Sequence, residues 1–125
     1  MEKELLSNCY LFRDMTPDEL KKIEPATVSE TFAIADEVFN QGDKANALYI
    51  IKKGSVKIQQ KGSKGKKIEV AKVGSGSHFG EMAFLDGERR SAGVEVLERS
   101  EILKIDYEQL RRILVQNPAM AVKFY

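Results

Sequence analysis

The chain has 125 residues, of which 42% are hydrophobic and 31% are charged. A chain of this length and composition can bury one core, so we expect a single domain over residues 1–125. The formal net charge is +1, whereas binding to a phosphate backbone normally needs a strongly basic surface. The charge balance therefore predicts no nucleic-acid partner.

Neither a membrane span nor a secretory signal is predicted. The longest apolar run, ALYII at residues 47–51, is far shorter than the roughly 18 residues that a membrane-spanning helix needs. The amino terminus lacks the apolar length and the small-residue cleavage pattern of a signal peptide. The single cysteine, Cys9, cannot form an internal disulfide and suits a reducing compartment. These features predict a cytoplasmic protein.

The first segment, residues 1–25, has the pattern of helices. Apolar residues over positions 5–12 recur at helical spacing. The sequence TPDE then predicts a second helix, in which Thr16 is the N-cap and Glu19 completes a capping box. Pro25 ends this helix.

Residues 27–105 have the pattern of short strands separated by turns. Six segments are rich in β-branched or aromatic residues: VSETFAI, EVFNQGD, LYIIKKGSVKIQQ, KIEVAKV, GVEVL and EILKI. The glycines and serine of KGSKGK, residues 61–66, predict a hairpin tip. The regular spacing of the strands predicts an antiparallel β-roll.

The last segment, residues 106–125, again has helical spacing. Asp106 is a predicted N-cap with Gln109 three residues later, and Asn117 is a predicted N-cap for a final short helix. One face of the first helix is apolar, through Leu110, Ile113 and Leu114. We favour core packing for this face, with a homodimer contact as the alternative. The predicted fold class is α+β: a jelly-roll-like antiparallel β-roll flanked by N- and C-terminal helices.

The stretch FGEMAFLDGERRSA, residues 79–92, combines groups that suit a sugar phosphate. Gly80 allows close approach to a ligand, and a short helix starting near Glu81 would direct N–H groups towards an anion. The Glu81 carboxylate can accept hydrogen bonds from sugar hydroxyls. Arg90 provides a planar cationic fork for phosphate oxygens, and the two small residues after it provide further N–H groups.

The longer stretch GSGSHFGEMAFLDGERRSAGVEV resembles the phosphate-binding cassette of the cyclic nucleotide-binding domain family. The Gly-Glu pair, the gap of eight residues and the Arg-small-Ala ending follow the family pattern. The likeness extends to EVFNQGDKANALYIIKKGSVKI and to the helices at both ends. Within the family, the chain resembles the ligand-binding half of catabolite activator-type regulators. The ligand-binding residues that this resemblance implies are Phe79, Gly80, Glu81, Met82, Ala83, Arg90, Ser91 and Ala92.

The resemblance also implies a role for each matching position. Glu81, with the Gly80 backbone, would bind the ribose 2′-hydroxyl, and Arg90 would pair with the cyclic phosphate. Ser91 and Ala92 would complete the phosphate contacts. A residue at the position of Ser91 can also contact the purine, so the choice between cAMP and cGMP stays open, with cAMP favoured.

Members of the family signal by movement of their C-terminal helices and catalyse nothing, so we expect a sensor that acts on an effector protein. Nothing after Pro118 predicts a helix-turn-helix, and no DNA-binding half is expected. Phe124 and Tyr125 are the aromatic candidates for covering the base, and neither is assigned that role. Asp36 stands where the family usually has a turn glycine, so a left-handed conformation is expected there.

Other interpretations accompany this hypothesis, among them an enzyme that acts on a nucleotide. Glu81 and Arg90 could form an internal salt bridge in a ligand-independent interaction module. His78, the single histidine, is expected to be an exposed bystander, because a catalytic or metal site needs further partners. We therefore predict no enzyme activity, metal or cofactor. The lysines over residues 52–72 are expected to be a solvated hairpin face, with an anionic partner as the alternative.

Overall fold

A computed structural model describes residues 5–7 and 9–124. Residues 5–7 are helical. The helices that follow are α1 (Pro17–Ile23), α2 (Met82–Asp86), α3 (Tyr107–Gln116) and α4 (Pro118–Phe124), and 3-10 turns form at Tyr10–Phe12 and Glu24–Ala26. None of the helices in the described part of the chain is both long enough and apolar enough to cross a membrane.

In the described part of the chain, eight strands form two antiparallel sheets. They are β1 (Thr27–Phe32), β2 (Glu37–Phe39), β3 (Ala47–Lys53), β4 (Ser55–Lys61), β5 (Lys67–Gly74), β6 (His78–Phe79), β7 (Gly93–Val96) and β8 (Ser100–Asp106). One sheet has the order β1-β8-β3-β6 and the other β2-β7-β4-β5. This arrangement confirms the predicted α+β fold with a β-roll. Sequence reasoning missed β6, because two residues are too few to show alternation.

Strand β3 explains the apolar run ALYII, because both of its faces are covered. Neighbouring side chains of a strand point to opposite faces. Leu48 and Ile50 pack against the helices, whereas Ala47, Tyr49 and Ile51 point into the roll. The sequence of β3 is therefore apolar without interruption and shows no alternation.

The two faces of β3 belong to two separate cores. The helical core joins the terminal helices to the outer face of the first sheet, and it includes Leu6, Cys9, Phe12, Leu20, Ile23, Leu48, Ile50, Phe84, Leu103, Ile105, Tyr107, Leu110, Leu114, Met120 and Phe124. The roll core lies between the sheets and consists of Ala47, Tyr49, Ile51, Val56, Phe79, Val94, Val96 and Ile102. The ligand site described below adjoins the roll core.

All three predicted N-cap positions are correct, and two of them have a capping side chain. Thr16 and Glu19 form the reciprocal capping box of α1, and the Asp106 carboxylate accepts a hydrogen bond from the Gln109 N–H at 2.9 Å. Asn117 begins α4, because its carbonyl accepts hydrogen bonds from the N–H groups of Met120 and Ala121, but both atoms of its side-chain amide have partners elsewhere. Its nitrogen donates to the Ile113 carbonyl at 2.7 Å and its oxygen accepts from Lys22 at 3.0 Å. Asn117 therefore holds the end of α3 against α1.

The turn between β1 and β2 also differs from the prediction. The left-handed residue there is Ala35, with φ of 71°, and not Asp36. The Asp36 carboxylate instead closes the turn by accepting a hydrogen bond from the Ala33 N–H at 2.8 Å. Asp commonly stabilises turns through such side-chain bonds, so the expectation for Asp36 was wrong by one position.

Candidate ligand-binding site

A cavity of about 400 Å³ opens beside the roll core. This volume falls within the range of small-molecule sites, roughly 300 to 1,000 Å³. All eight residues that the sequence singled out line it: Phe79, Gly80, Glu81, Met82, Ala83, Arg90, Ser91 and Ala92. The structure therefore brings the predicted residues together around one cavity, which also has apolar walls from β2, β4 and β7.

The first half of the cassette is shaped by Gly80 and Glu81. Strand β6 ends at Phe79, and Gly80 then turns the chain with φ of 83°, a conformation that favours glycine. Glu81 follows as the N-cap residue of α2, and this helix ends at Gly87 with φ of 73°. The short helix near Glu81 that the sequence predicted is thus present, and it carries Met82 and Ala83 along the cavity.

Arg90 is buried, with only 5% of its surface exposed. Its Nη1 donates to the Gly80 carbonyl at 2.8 Å and to the Tyr107 hydroxyl at 3.1 Å, and its Nη2 donates to the Ala47 carbonyl. Gly80 makes room for this arrangement, because a Cβ at that position would lie 2.9 Å from Nη1. Glycine at this site accommodates the arginine as well as the backbone turn.

Aromatic rings surround the Arg90 guanidinium. Its central carbon lies 3.9 Å from the ring centroid of Phe39, 5.6 Å from that of Tyr107 and 6.0 Å from that of Tyr49. A cation within about 6 Å of a ring face is stabilised by the ring's quadrupole. The positive charge is therefore held by aromatic faces and neutral oxygens.

Arg90 has no carboxylate partner within residues 5–7 and 9–124. Among the residues that the structure describes, it is the one buried charged side chain, and none of the ion pairs includes it. Glu81 lines the same cavity and is half-buried, but the Arg90 hydrogen bonds go to other groups. The internal Glu81–Arg90 salt bridge that was weighed against ligand binding is thus not formed.

Sequence reasoning missed Tyr107, Phe39 and Tyr49. Tyr107 follows the N-cap Asp106 directly, and that local pattern indicates only the start of a helix. Its hydroxyl donates to the Gly80 carbonyl, and burial raises the pKa of this hydroxyl above its ordinary value. No local pattern could have identified these rings, because they reach Arg90 from separate elements.

The structure also shows the surroundings of His78 and of Phe124. His78 was expected to be exposed, but it is half-buried on β6, edge-on to the Tyr10 ring at 6.2 Å, and within the described chain its buried Nε2 has no hydrogen-bond partner. Phe124 is buried against Phe12 and Phe84 at 5.6 and 5.3 Å, so it belongs to the helical core and not to the cavity. Tyr125, the other candidate for covering the base, lies outside the described residues.

The described part of the chain contains no group of three His, Cys, Asp or Glu side chains that could hold a metal ion. The polar and charged residues that line the cavity are His78, Glu81, Asp86, Glu88, Arg89, Arg90 and Ser91. Of these, the Arg90 guanidinium is the buried charge. Fold and cavity together define a β-roll that can enclose a small anionic ligand.

Comparison with known proteins identifies the family. The family model described as the cyclic nucleotide-binding domain matches residues 29–117, which is most of the chain. The chain therefore belongs to the cyclic nucleotide-binding domain family, as its cassette indicated.

Individual relatives agree with this assignment. A putative potassium channel protein of Rhodopseudomonas palustris is 32% identical over 95% of the chain, and the cAMP-activated global transcriptional regulator CRP of Haemophilus influenzae is 35% identical over 65% of it. The chain spans only 28% and 37% of the length of these two relatives. The crystal structure of the N-terminal domain of a transcriptional regulator from Streptomyces coelicolor has a TM-score of 0.87 and 24% identity, covering 96% of this chain and 86% of that one. This last likeness supports the fold.

Proposed function

We propose that this chain is a non-catalytic regulatory domain that binds cAMP in the cavity beside the roll core. The observation that carries the proposal is Arg90, a buried guanidinium without a carboxylate partner on the wall of a cavity of about 400 Å³. Burying a charge without a counter-charge is costly. An anionic ligand in the cavity would supply the missing charge.

Each part of the ligand has a matching group in the cavity. Arg90 would pair with the cyclic phosphate, and Ser91 and Ala92 would add contacts to it. The half-buried Glu81 carboxylate would accept a hydrogen bond from the ribose 2′-hydroxyl. The apolar walls from Ile58 and Val94 suit a purine ring. The cAMP-activated relative favours adenine over guanine.

The output of the domain would pass through α3 and α4 to an effector protein, in the cytoplasm. These helices are coupled to the cassette through Phe84 on α2, which lies edge-on to both Tyr107 and Phe124 at 5.1 and 5.3 Å. A ligand that moves the cassette would therefore bias the packing of both helices, to an extent limited by its preference for one arrangement.

One observation favours a second candidate, a ligand-independent interaction module. Three N–H donors of Arg90 are already used by Gly80, Ala47 and Tyr107. In this alternative the arginine serves to hold the cassette in shape, and no nucleotide is needed.

Thermal unfolding with excess cAMP or cGMP separates the two candidates. A ligand at a hundred times its Kd that binds only the folded state adds about 2.7 kcal/mol of stability, which raises the Tm by several degrees. We expect a shift with cAMP that is lost in Arg90→Ala and kept in Arg112→Ala. Arg112 is the matched control, because it is exposed on α3 and pairs with Glu108.

No shift with either nucleotide in the wild type would reject the sensor hypothesis and favour the interaction module. A shift that Arg90→Ala retains would show that the nucleotide binds without Arg90, and it would overturn the binding site proposed here. Incubating the protein with cAMP and analysing the products tests the absence of catalysis, for which we expect cAMP to be recovered unchanged.

A further inference from the structure

Tyr107 connects the cassette to the C-terminal helices through one closed set of hydrogen bonds. Its hydroxyl donates to the Gly80 carbonyl and accepts from Arg90 Nη1 at 3.1 Å. Arg90 Nη1 also donates to the same Gly80 carbonyl at 2.8 Å. Three groups from β6–α2, the end of the cassette and the first residue of α3 therefore meet at one point.

The rest of Tyr107 belongs to the helical core. Its ring lies edge-on to Phe84 at 5.1 Å, and its N–H donates to the Asn46 carbonyl at 2.9 Å. Tyr107 thus has its ring in the helical core and its hydroxyl on Arg90 beside the roll core. A change in the orientation of the Arg90 side chain would therefore alter the contacts of Tyr107, the first residue of α3.

The present orientation of Arg90 limits its pairing with an anion. A guanidinium has five N–H donors, and three of those of Arg90 are used by neutral protein oxygens. Its Nε is buried and has no partner among the described residues. Bidentate pairing with a phosphate needs two donors that face the ligand together. Because the whole side chain is only 5% exposed, the guanidinium must loosen from some neighbours before it pairs fully.

We propose that Tyr107 is a positioning residue that holds Arg90 in its ligand-free orientation and releases it when an anion binds. This inference rests on the proposed function, since the nucleotide phosphate is the anion that takes the guanidinium. Release would free the Tyr107 hydroxyl from Arg90 and loosen the start of α3. Removing the hydroxyl should therefore favour the released arrangement before any ligand is present.

The test compares Tyr107→Phe with Tyr49→Phe. Both changes remove one hydroxyl from a buried tyrosine whose ring faces Arg90, but the hydrogen bond to Arg90 Nη1 comes from Tyr107. We expect the Kd for cAMP, measured by calorimetry, to fall about 5- to 10-fold in Tyr107→Phe, the effect of one hydrogen bond, and to change less than about twofold in Tyr49→Phe. We also expect hydrogen exchange over residues 106–116 without ligand to be faster in Tyr107→Phe.

A merely structural role would lower the affinity of Tyr107→Phe, so a rise in affinity is the diagnostic result. A Kd equal to or higher than that of Tyr49→Phe would overturn the proposal. If the wild type binds no cAMP, the proposed function fails, and ligand-free exchange then decides separately whether Tyr107 holds α3. Faster exchange in Tyr107→Phe than in Tyr49→Phe would support that role, and equal exchange would overturn it.

Discussion

The two cores of this protein lie on opposite faces of the same sheet and differ in what they enclose. The helical core is apolar and closed by the terminal helices, with Leu48 and Ile50 from β3 at its base. The roll core begins one residue away along the same strand, at Tyr49, and it adjoins the cavity and the buried Arg90. Alternation along one strand therefore separates an apolar core from a ligand site.

This difference shows how a small domain can stay folded with a buried charge at its ligand site. A buried charge without a counter-charge destabilises the fold around it. The helical core supplies apolar burial that does not depend on the cavity, so the roll can hold Arg90 without losing the fold. Truncations of apolar side chains in the helical core should therefore cost more stability than substitutions around Arg90 and should leave binding largely unchanged.

The largest expected effect is that of Leu110→Ala in the helical core. Leu110 is fully buried, and its truncation should lower the free energy of unfolding by about 2 to 5 kcal/mol. Urea unfolding measures the loss, with Val115→Ala on the same helix as the control, since Val115 is 79% exposed and should change stability by less than about 0.5 kcal/mol. The Kd for cAMP should stay within about twofold. A large loss of affinity in Leu110→Ala would show that the two cores are not independent.

A smaller effect is expected from the Cys9 thiol, also in the helical core. Burial raises the pKa of Cys9 from its ordinary value of 9.0 to about 11. Above pH 9 the unfolded chain loses the thiol proton while the folded protein keeps it. The free energy of unfolding should therefore fall by about 2 kcal/mol as the pH rises from 9 to 11.

Urea unfolding of Cys9→Ala over the same pH range is the control. Burial also raises the pKa of Tyr49 and Tyr107, and this contribution is common to both proteins. The difference in pH dependence between wild type and Cys9→Ala isolates the thiol. Identical pH dependence would show that Cys9 is not buried as described.

The smallest effect is expected from Phe39→Leu beside the roll core. This change removes the ring that lies 3.9 Å from the Arg90 guanidinium carbon. The control is Phe32→Leu, because Phe32 packs against the same core and none of the cation–π contacts among the described residues involves its ring. Phe39→Leu should cost about 1 kcal/mol more stability than Phe32→Leu in urea unfolding, because it loses the cation–π contact together with the ring contacts to Tyr49 and Phe79. Equal losses would mean that the ring contributes only apolar area.

Most of the helices and strands could be predicted from local patterns. The capping box at Thr16 and Glu19 and the cap at Asp106 were correct, because a cap depends on residues only three positions apart. The N-cap position at Asn117 was also correct, but its side-chain amide bonds to Ile113 and to the distant Lys22, which the local pattern could not show. The left-handed position in the turn before β2 is Ala35, one residue before Asp36, because the sequence does not specify the backbone of this turn to a single residue.

For the site, the sequence alone determined which residues of the cassette meet, because residues 79–92 are close along the chain and the chemistry of Gly80, Glu81 and Arg90 is evident from their types. Only the tertiary structure decided how Arg90 is held. Phe39, Tyr49 and Tyr107 come from β2, β3 and α3. Tyr49 and Tyr107 reach the cassette because β3 pairs with both β6 and β8, whereas Phe39 reaches it from β2 in the other sheet. These arrangements are set by the burial of whole strands and not by any local pattern.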